Sequence, residues 1–360
     1  IPVEQHYVTT DDGYILGMFR LPHRGAQAVL FQHGVLDSSW TWICNDPSLS
    51  AGIEAFNLGY DVWLSNTRGN TFSRDHQTLS VSSEAFWDFS FTDMAQHDVP
   101  ANVDYVLQVT GRPNLTFVGH SQGTSQFFAA MTNESLQSDL LQKVNLFVAL
   151  SPVTFLANQG STLIELMGDF DLGVAMELAY PYGFLTWSSV SGVADFFCKA
   201  TAGLLCKIGV DLVAGVSDED SYQGLTNFTA HYPAGTSVKS LEHFDQLAKT
   251  TKFQDYDYGL IGNLERYGSS SPPEFDLSRA RIPTALFIGG SDDLAGPVDA
   301  GHAAALLPQD TLVFHEVFDD FSHATWLAGK RSAYDQWFPK FKSLLAQYNP
   351  TTQLASPVVV

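Results

Sequence analysis

Two periodicities interleave over the first 150 residues. Short β-rich runs at 5–9, 14–20, 28–32, 61–64, 115–118 and 144–150 read as strands, and longer stretches with helical spacing separate the later ones. The first two runs flank Asp11-Asp12-Gly13 and are expected to pair as an antiparallel hairpin. The wider intervals call for crossover helices, hence a mostly parallel sheet. Between Asp93 and Val109 the apolar residues Met94, Val99, Val103, Val106 and Leu107 stand near helical spacing, with Pro100 among them, so a kink or a new helix start is expected there.

The texture changes at Thr154. From 154 to 267 the alternation gives way to apolar, Gly-punctuated segments. It resumes at Pro283, with a strand at 284–288, a helix at 297–307, a strand at 311–317 and a helical stretch from Trp326 to Tyr348 that should break near Pro339. Residues 1–153 and 268–360 therefore read as one α/β core, and 154–267 as an insertion within it. No internal repeat or low-complexity tract is seen.

Composition narrows this picture. The 360 residues carry 18 Lys plus Arg against 39 Asp plus Glu, a formal charge of −21 at pH 7, which argues against nucleic acid as a partner because phosphate binding needs a basic face. Charged residues are only 16% and hydrophobic ones 45%, so this is a folding chain with an acidic surface. No segment is apolar over the ~20 residues of a membrane span. The start at Ile1, without Met or an apolar signal core, suggests a processed mature chain. Cys44, Cys198 and Cys206 match no zinc pattern; Cys198 and Cys206 are spaced to bridge a short loop in an oxidising compartment or to remain buried thiols. Sequons at Asn114, Asn133 and Asn227 lean toward a secreted glycoprotein, with Asn227 the best placed, after the polar stretch 217–221.

The strongest chemical signal is Gly119-His120-Ser121-Gln122-Gly123, which follows an apolar strand and precedes a helical run. A Ser on a sharp strand-to-helix turn is exposed at a helix N-terminus, and small flanking residues let neighbouring chain pass close by. Its hydroxyl needs a base, and the base an orienting acid. His323 follows the strand at 311–317, where a base is expected, while His315 lies inside that strand and should pack against the sheet. The acid should follow the strand at 284–288, where Asp292 and Asp293 both stand, the second also suited to cap the next helix or face solvent. For an oxyanion, the amides of Gln122, after the nucleophile, and Val35, after the third strand, are the expected donors, with His33 in a supporting role. No phosphate-binding glycine motif follows a strand, and His97 and His120 lack partners at metal-ligand spacing, so neither cofactor nor metal is called for. The cluster Phe86-Trp87-Asp88-Phe89-Ser90-Phe91 reads as core.

From Tyr14 to Trp326 the chain resembles the acid lipases, α/β-hydrolases that include gastric and lysosomal acid lipase. The resemblance rests on Thr10-Asp11-Asp12-Gly13-Tyr14-Ile15-Leu16, Gln32-His33-Gly34-Val35, Gly59-Tyr60-Asp61-Val62-Trp63-Leu64, Asn66-Thr67-Arg68-Gly69-Asn70-Thr71 and the aromatic cluster. Further along come the Ser121 motif, Pro233-Ala234-Gly235-Thr236-Ser237-Val238 and Phe253-Gln254-Asp255-Tyr256-Asp257.

The resemblance implies an α/β-hydrolase fold, a mostly parallel sheet with helices on both faces, whose insertion at 154–267 forms a cap and lid. It implies Asp292 as the acid, although Asp293 and Gly296 depart from the family's Leu and Asp, and it favours a Cys198–Cys206 disulfide and glycosylation at Asn227. It also implies hydrolysis of triacylglycerol, with cholesteryl esters as a further candidate substrate, at an oil–water interface touched by the cap, in a secreted or lysosomal setting; the alternatives are a carboxylesterase or sterol esterase on soluble or dispersed esters and a non-catalytic lipid carrier. The apolar runs 163–167, 172–178, 184–187 and 196–197 suit a lipid-facing groove. An acidic lumen would discharge much of the −21 surface, lowering a barrier to docking on anionic lipid.

Overall fold

In the computed structural model, residues 1–161, 183 and 204–351 are described. They form a nine-stranded sheet: β1 (Glu4–Thr9), β2 (Tyr14–Leu21), β3 (Ala28–Gln32), β4 (Asp61–Ser65), β5 (Asp75–His76), β6 (Leu115–His120), β7 (Val144–Leu150), β8 (Thr284–Gly289) and β9 (Leu312–Phe318). Their order is β1-β2-β4-β3-β6-β7-β8-β9, with β5 on β2. The β1–β2 hairpin and the β2–β4 and β2–β5 pairs are antiparallel, and every pair from β4 through β9 is parallel.

Alternate residues of the central strands enter opposite cores. Leu30, Phe117, Phe147 and Leu286 face one, beneath the helices Val99–Thr110 and Gln122–Thr132; Phe31, Val118, Val148 and Phe287 face the other, beneath Arg331–Tyr348. A parallel sheet covered on both faces explains why these strands are continuously apolar.

Pro100 begins a new helix, Val99–Thr110, after a short π-helical turn at Met94–Asp98. The expected break near Pro339 does not occur. The helix Arg331–Tyr348 runs through it because Trp337, Phe338, Phe341, Leu344 and Leu345 bury one face against the sheet on both sides of the proline, and the interruption falls instead at Gly329 and Lys330. His315, expected to pack, is exposed because β9 is the edge strand.

Between β7 and β8 no strand of the sheet lies among the described residues; the helices Leu204–Ala214, Tyr222–Thr229, Val238–Ala248 and Gly259–Tyr267 occupy this stretch. They are 8 to 11 residues long. The apolar runs at 163–167, 172–178, 184–187 and 196–197 and the Cys198 half of the expected disulfide lie outside the described residues. Cys44 is a buried free thiol.

Arg68 pairs with buried Asp98 at 2.6 Å and with Asp12 at 2.7 Å, and its guanidinium lies 4.0 Å from the centre of the Tyr14 ring. Asp88 lies outside this cluster and bonds Lys239, at 2.6 Å. His97, on the π-helical turn Met94–Asp98, meets exposed Asp11 of the turn between β1 and β2 at 2.6 Å.

Candidate active site

The sheet register sets Gln32 of β3 beside Gly119 of β6, Gly119 beside Ala149 of β7, and Leu150 of β7 beside Phe287 of β8. The carboxyl ends of four neighbouring strands therefore lie together, where ligands of open α/β sheets bind. The loops leaving those ends carry Val35, Ser121, Ser151 and Asp292, and the chain after β9 carries His323.

Ser121 has φ 52° and ψ −124° and caps the helix Gln122–Thr132. That left-handed backbone costs on the order of 1–3 kcal/mol in a residue with a side chain. The motif glycines are demanded by close approach: a Cβ at Gly123 would stand 2.5 Å from the Gln32 carbonyl oxygen, and one at Gly119 would stand 2.9 Å from the Gly123 carbonyl. Gly34 brings the neighbouring loop against the serine, since a Cβ there would lie 3.0 Å from Ser121 Cβ. Gln122 opens the helix, so its amide has no intrahelical acceptor.

His33 organises this loop. The Thr67 amide can only donate, so His33 Nε2 accepts it at 3.2 Å and Nδ1–H donates to the Gly34 carbonyl at 2.7 Å. Burial pushes the His33 pKa down to about 4, which keeps this neutral tautomer. The next turn is pinned by the Ala234 amide, which donates to the Leu36 carbonyl at 2.5 Å. This contact gives the 233–238 motif a structural reason.

His323 and Asp292 form a buried pair. Nδ1–H of the histidine donates to the carboxylate, with 2.8 Å to Oδ2 and 3.0 Å to Oδ1. Oδ1 also accepts the Leu294 and Ala295 amides at 2.9 and 2.7 Å, and Oδ2 accepts the Ser151 hydroxyl at 2.6 Å. Burial pushes the Asp292 pKa up, but His323, Ser151 and the Ala295 amide outweigh it and hold the carboxyl below its usual value. Asp293 is exposed and turned away, so geometry separates two aspartates that spacing left equivalent.

His323 Nε2 is buried and has no hydrogen-bond partner among the described residues, so in the neutral ring it carries the lone pair that a base requires. His120, the chain neighbour of Ser121, donates from Nε2 to the His323 carbonyl at 2.9 Å, with ring centres 4.9 Å apart. Burial, and then His323, push its pKa down to about 3, consistent with the structural role expected for it.

Ser121 opens on a cavity of about 110 Å³ lined by Val35, Leu36, Val153, Leu156, Leu241 and Phe244, with Tyr232 and Asp245 as its other polar residues. Its lining accepts an apolar chain, and Val35 stands in its wall beside the serine. Asn114, Asn133 and Asn227 are all half-buried, and Asn227 lies on the helix Tyr222–Thr229 rather than in a loop.

Two polar groups here escaped the sequence reading. Ser151, with φ 48°, accepts Trp326 Nε1–H at 2.7 Å while donating to Asp292; only the register of β7 against β8 brings it there. Asp37 is buried, accepts the Ser38 amide at 2.7 Å, and burial pushes its pKa up to about 7. A carboxyl raised in the folded state supports stability below its unfolded value near 3.8, and that support is lost as pH rises through about 7. Asp37→Asn should therefore raise the melting temperature at pH 7, by an amount worth up to about 4 kcal/mol, and leave it nearly unchanged at pH 4. Thermal melts of both proteins at the two pH values check this.

Residues 1–46 match the family model of the partial α/β-hydrolase lipase region, and residues 27–174 that of the α/β hydrolase fold. The chain is 36% identical over 363 residues to human lysosomal acid lipase/cholesteryl ester hydrolase, covering 96% of this chain and 88% of the relative. It is 36% identical over 340 residues to bovine gastric triacylglycerol lipase, covering 91% and 84%. Among solved structures, a soluble variant of monoglyceride lipase from Saccharomyces cerevisiae superposes with a TM-score of 0.60 at 14% identity, over 97% of this chain and 96% of that one. That last likeness is one of fold alone.

Proposed function

Since the chain belongs to the acid lipase family of α/β-hydrolases, we propose that it hydrolyses lipid carboxylic esters, triacylglycerols and cholesteryl esters, through an acyl-enzyme formed on Ser121. The observation that carries this reading is the buried Asp292–His323 pair, whose Nε2 is unpartnered among the described residues, next to a serine on a strained turn that opens into an apolar cavity.

In the proposed reaction, the Ser121 hydroxyl attacks the ester carbonyl while His323 Nε2 takes its proton, and Asp292 stabilises the imidazolium through Nδ1–H. The amides of Val35 and Gln122 receive the negative oxygen. His323 then protonates the departing alcohol, and a water activated by the same nitrogen cleaves the acyl-enzyme.

Residues 154–267 act in this reading as a cap over the serine. Support comes from the helix Val238–Ala248, whose Leu241 and Phe244 wall the cavity. The same region supplies a lipid-facing surface: Leu260, Ile261 and Leu264 on the helix Gly259–Tyr267 are 63%, 73% and 50% exposed. The −21 charge and the lysosomal and gastric relatives favour work at acidic pH in a secreted or lysosomal compartment, where carboxylates begin to discharge.

The test compares turnover of monomeric and emulsified ester. Turnover should rise when triacylglycerol or cholesteryl ester passes from monomer to emulsion. Ile261→Asp should weaken that response several-fold while turnover of a short soluble ester stays within about twofold. Turnover that tracks monomer concentration through the transition would identify an esterase of soluble esters instead.

A further inference from the structure

Within the sheet domain His323 is held by Asp292 at its ring and by His120 at its carbonyl; its amide and the residues on both sides of it are held from the segment inserted between β7 and β8. Ser322 and Thr325 flank it, and their hydroxyls converge on one fully buried carboxylate, Asp220. Thr325 Oγ1–H donates to Asp220 Oδ1 at 2.6 Å and Ser322 Oγ–H donates to Oδ2 at 2.9 Å. Because each hydroxyl has a single hydrogen, committing both to the carboxylate leaves both oxygens as acceptors. Both are used that way: Thr325 Oγ1 receives the Ser322 amide at 2.9 Å and Ser322 Oγ the Ala324 amide at 3.2 Å.

The chain carrying Asp220 is laced to the same loop through its backbone. The His323 amide donates to the Ala214 carbonyl at 3.0 Å, the Ser221 amide to Ala328 at 2.9 Å and the Lys330 amide to Glu219 at 2.8 Å. Asp220 and Gly329 form an antiparallel bridge, and Ser217 donates to the Asp320 carbonyl. Residues 214–221 thus brace 320–330 along its length, and Asp220 is the one ionisable side chain of this brace that meets the residues on both sides of His323.

We propose that Asp220 is a positioning residue for His323: from the segment inserted between β7 and β8, it sets the hydroxyl network that holds the base in register with Ser121, so the cap and the base are mechanically joined. This rests on the reading of His323 as the base. A carboxamide at 220 offers a donor to one of the two hydroxyls, which must then accept there and turn its own hydrogen elsewhere, and the bond that remains to the other hydroxyl is no longer to a charged oxygen. The loop keeps its backbone ties but loses its fixed direction, and a small displacement of a reacting group is costly.

The test uses Asp220→Asn and Thr325→Val in the full chain, with a fluorophosphonate that labels the nucleophile to count competent sites and a short soluble ester as substrate. Expected is a fall in kcat per labelled site of about 10- to 100-fold with KM little changed, and loss or broadening of the downfield proton resonance of the His323–Asp292 hydrogen bond. The double variant should be no worse than Asp220→Asn alone, since both cut one network. A merely structural role would reduce the number of labelled sites and the melting temperature but leave kcat per site and the downfield proton as in the wild type, and that result in both variants overturns the proposal. Failure of the wild type to be labelled at Ser121 would overturn the reading of the active site instead, while the resonance still judges Asp220.

Discussion

Ser121→Ala is expected to lower kcat for ester hydrolysis by about 10⁶-fold, the scale on which a serine hydrolase loses its nucleophile, while the melting temperature moves by no more than a few degrees. The Ser121 hydroxyl makes no hydrogen bond within the described residues, so its removal leaves no buried partner unsatisfied. Its backbone is a different matter. At φ 52° a side chain is strained, whereas glycine adopts that conformation freely. Ser121→Gly should therefore be equally inactive yet melt higher than Ser121→Ala. Retained turnover in either variant would remove Ser121 from the mechanism; equal melting temperatures would show that the turn stores no strain.

The two aspartates after β8 should differ by orders of magnitude. Asp292→Asn is expected to lower kcat by about 10⁴-fold, and Asp293→Asn to leave it within about twofold. The first figure follows from the donors around Asp292. The Leu294 and Ala295 amides both point at Oδ1, so an asparagine is forced to keep its carbonyl oxygen there and place its NH₂ at the Oδ2 position, 2.8 Å from His323 Nδ1. The imidazole must then accept at Nδ1 and carry its hydrogen on Nε2, which leaves no lone pair to receive a proton from Ser121. Asp293 is exposed and touches none of these groups. Because the Asp292 pKa is held below its usual value, its ionised form stabilises the fold at every pH above the unfolded value near 3.8, and that contribution is lost as pH falls through the lower folded value. An acidic compartment at pH 5 therefore leaves the pair intact. Steady-state rates for the two variants on a soluble ester decide the assignment; similar losses in both would show that the carboxylates share the role.

How much of this was legible beforehand depends on whether the signal was local. The strand-turn-helix around Ser121 was, because an apolar strand, the Gly-x-Ser-x-Gly spacing and a helical run follow one another directly and the demand on Gly119 comes from Gly123, although the demand on Gly123 comes from distant Gln32. The central strands β3, β4, β6, β7 and β8 were too, since each is a short apolar run buried on both faces, whereas the two-residue β5 carries no such run and was missed. The Pro339 break failed because local propensity was outweighed by Trp337, Phe338 and Phe341 packing on the sheet, a contact no window of sequence contains. The helices at 204–267 were missed, although they are about as long as the expected helix Pro297–Leu306, because no strands alternate with them to mark their ends.

By itself the sequence determined the fold class, the strand-turn-helix that carries Ser121 and an acidic, folding surface, all of which follow from residue spacing, periodicity and charge. Spacing left Asp292 and Asp293 equal, with only the resemblance to the acid lipases favouring Asp292, and the sequence was silent on the contacts of Ser151, Trp326 and Asp220. Only the tertiary structure decided these, because hydrogen bonds depend on direction over about 3 Å between groups as far apart in the chain as Ser151 and Asp292 or Asp220 and Thr325. Sheet register brings the first pair together, and the return of the inserted segment onto the His323 loop brings the second.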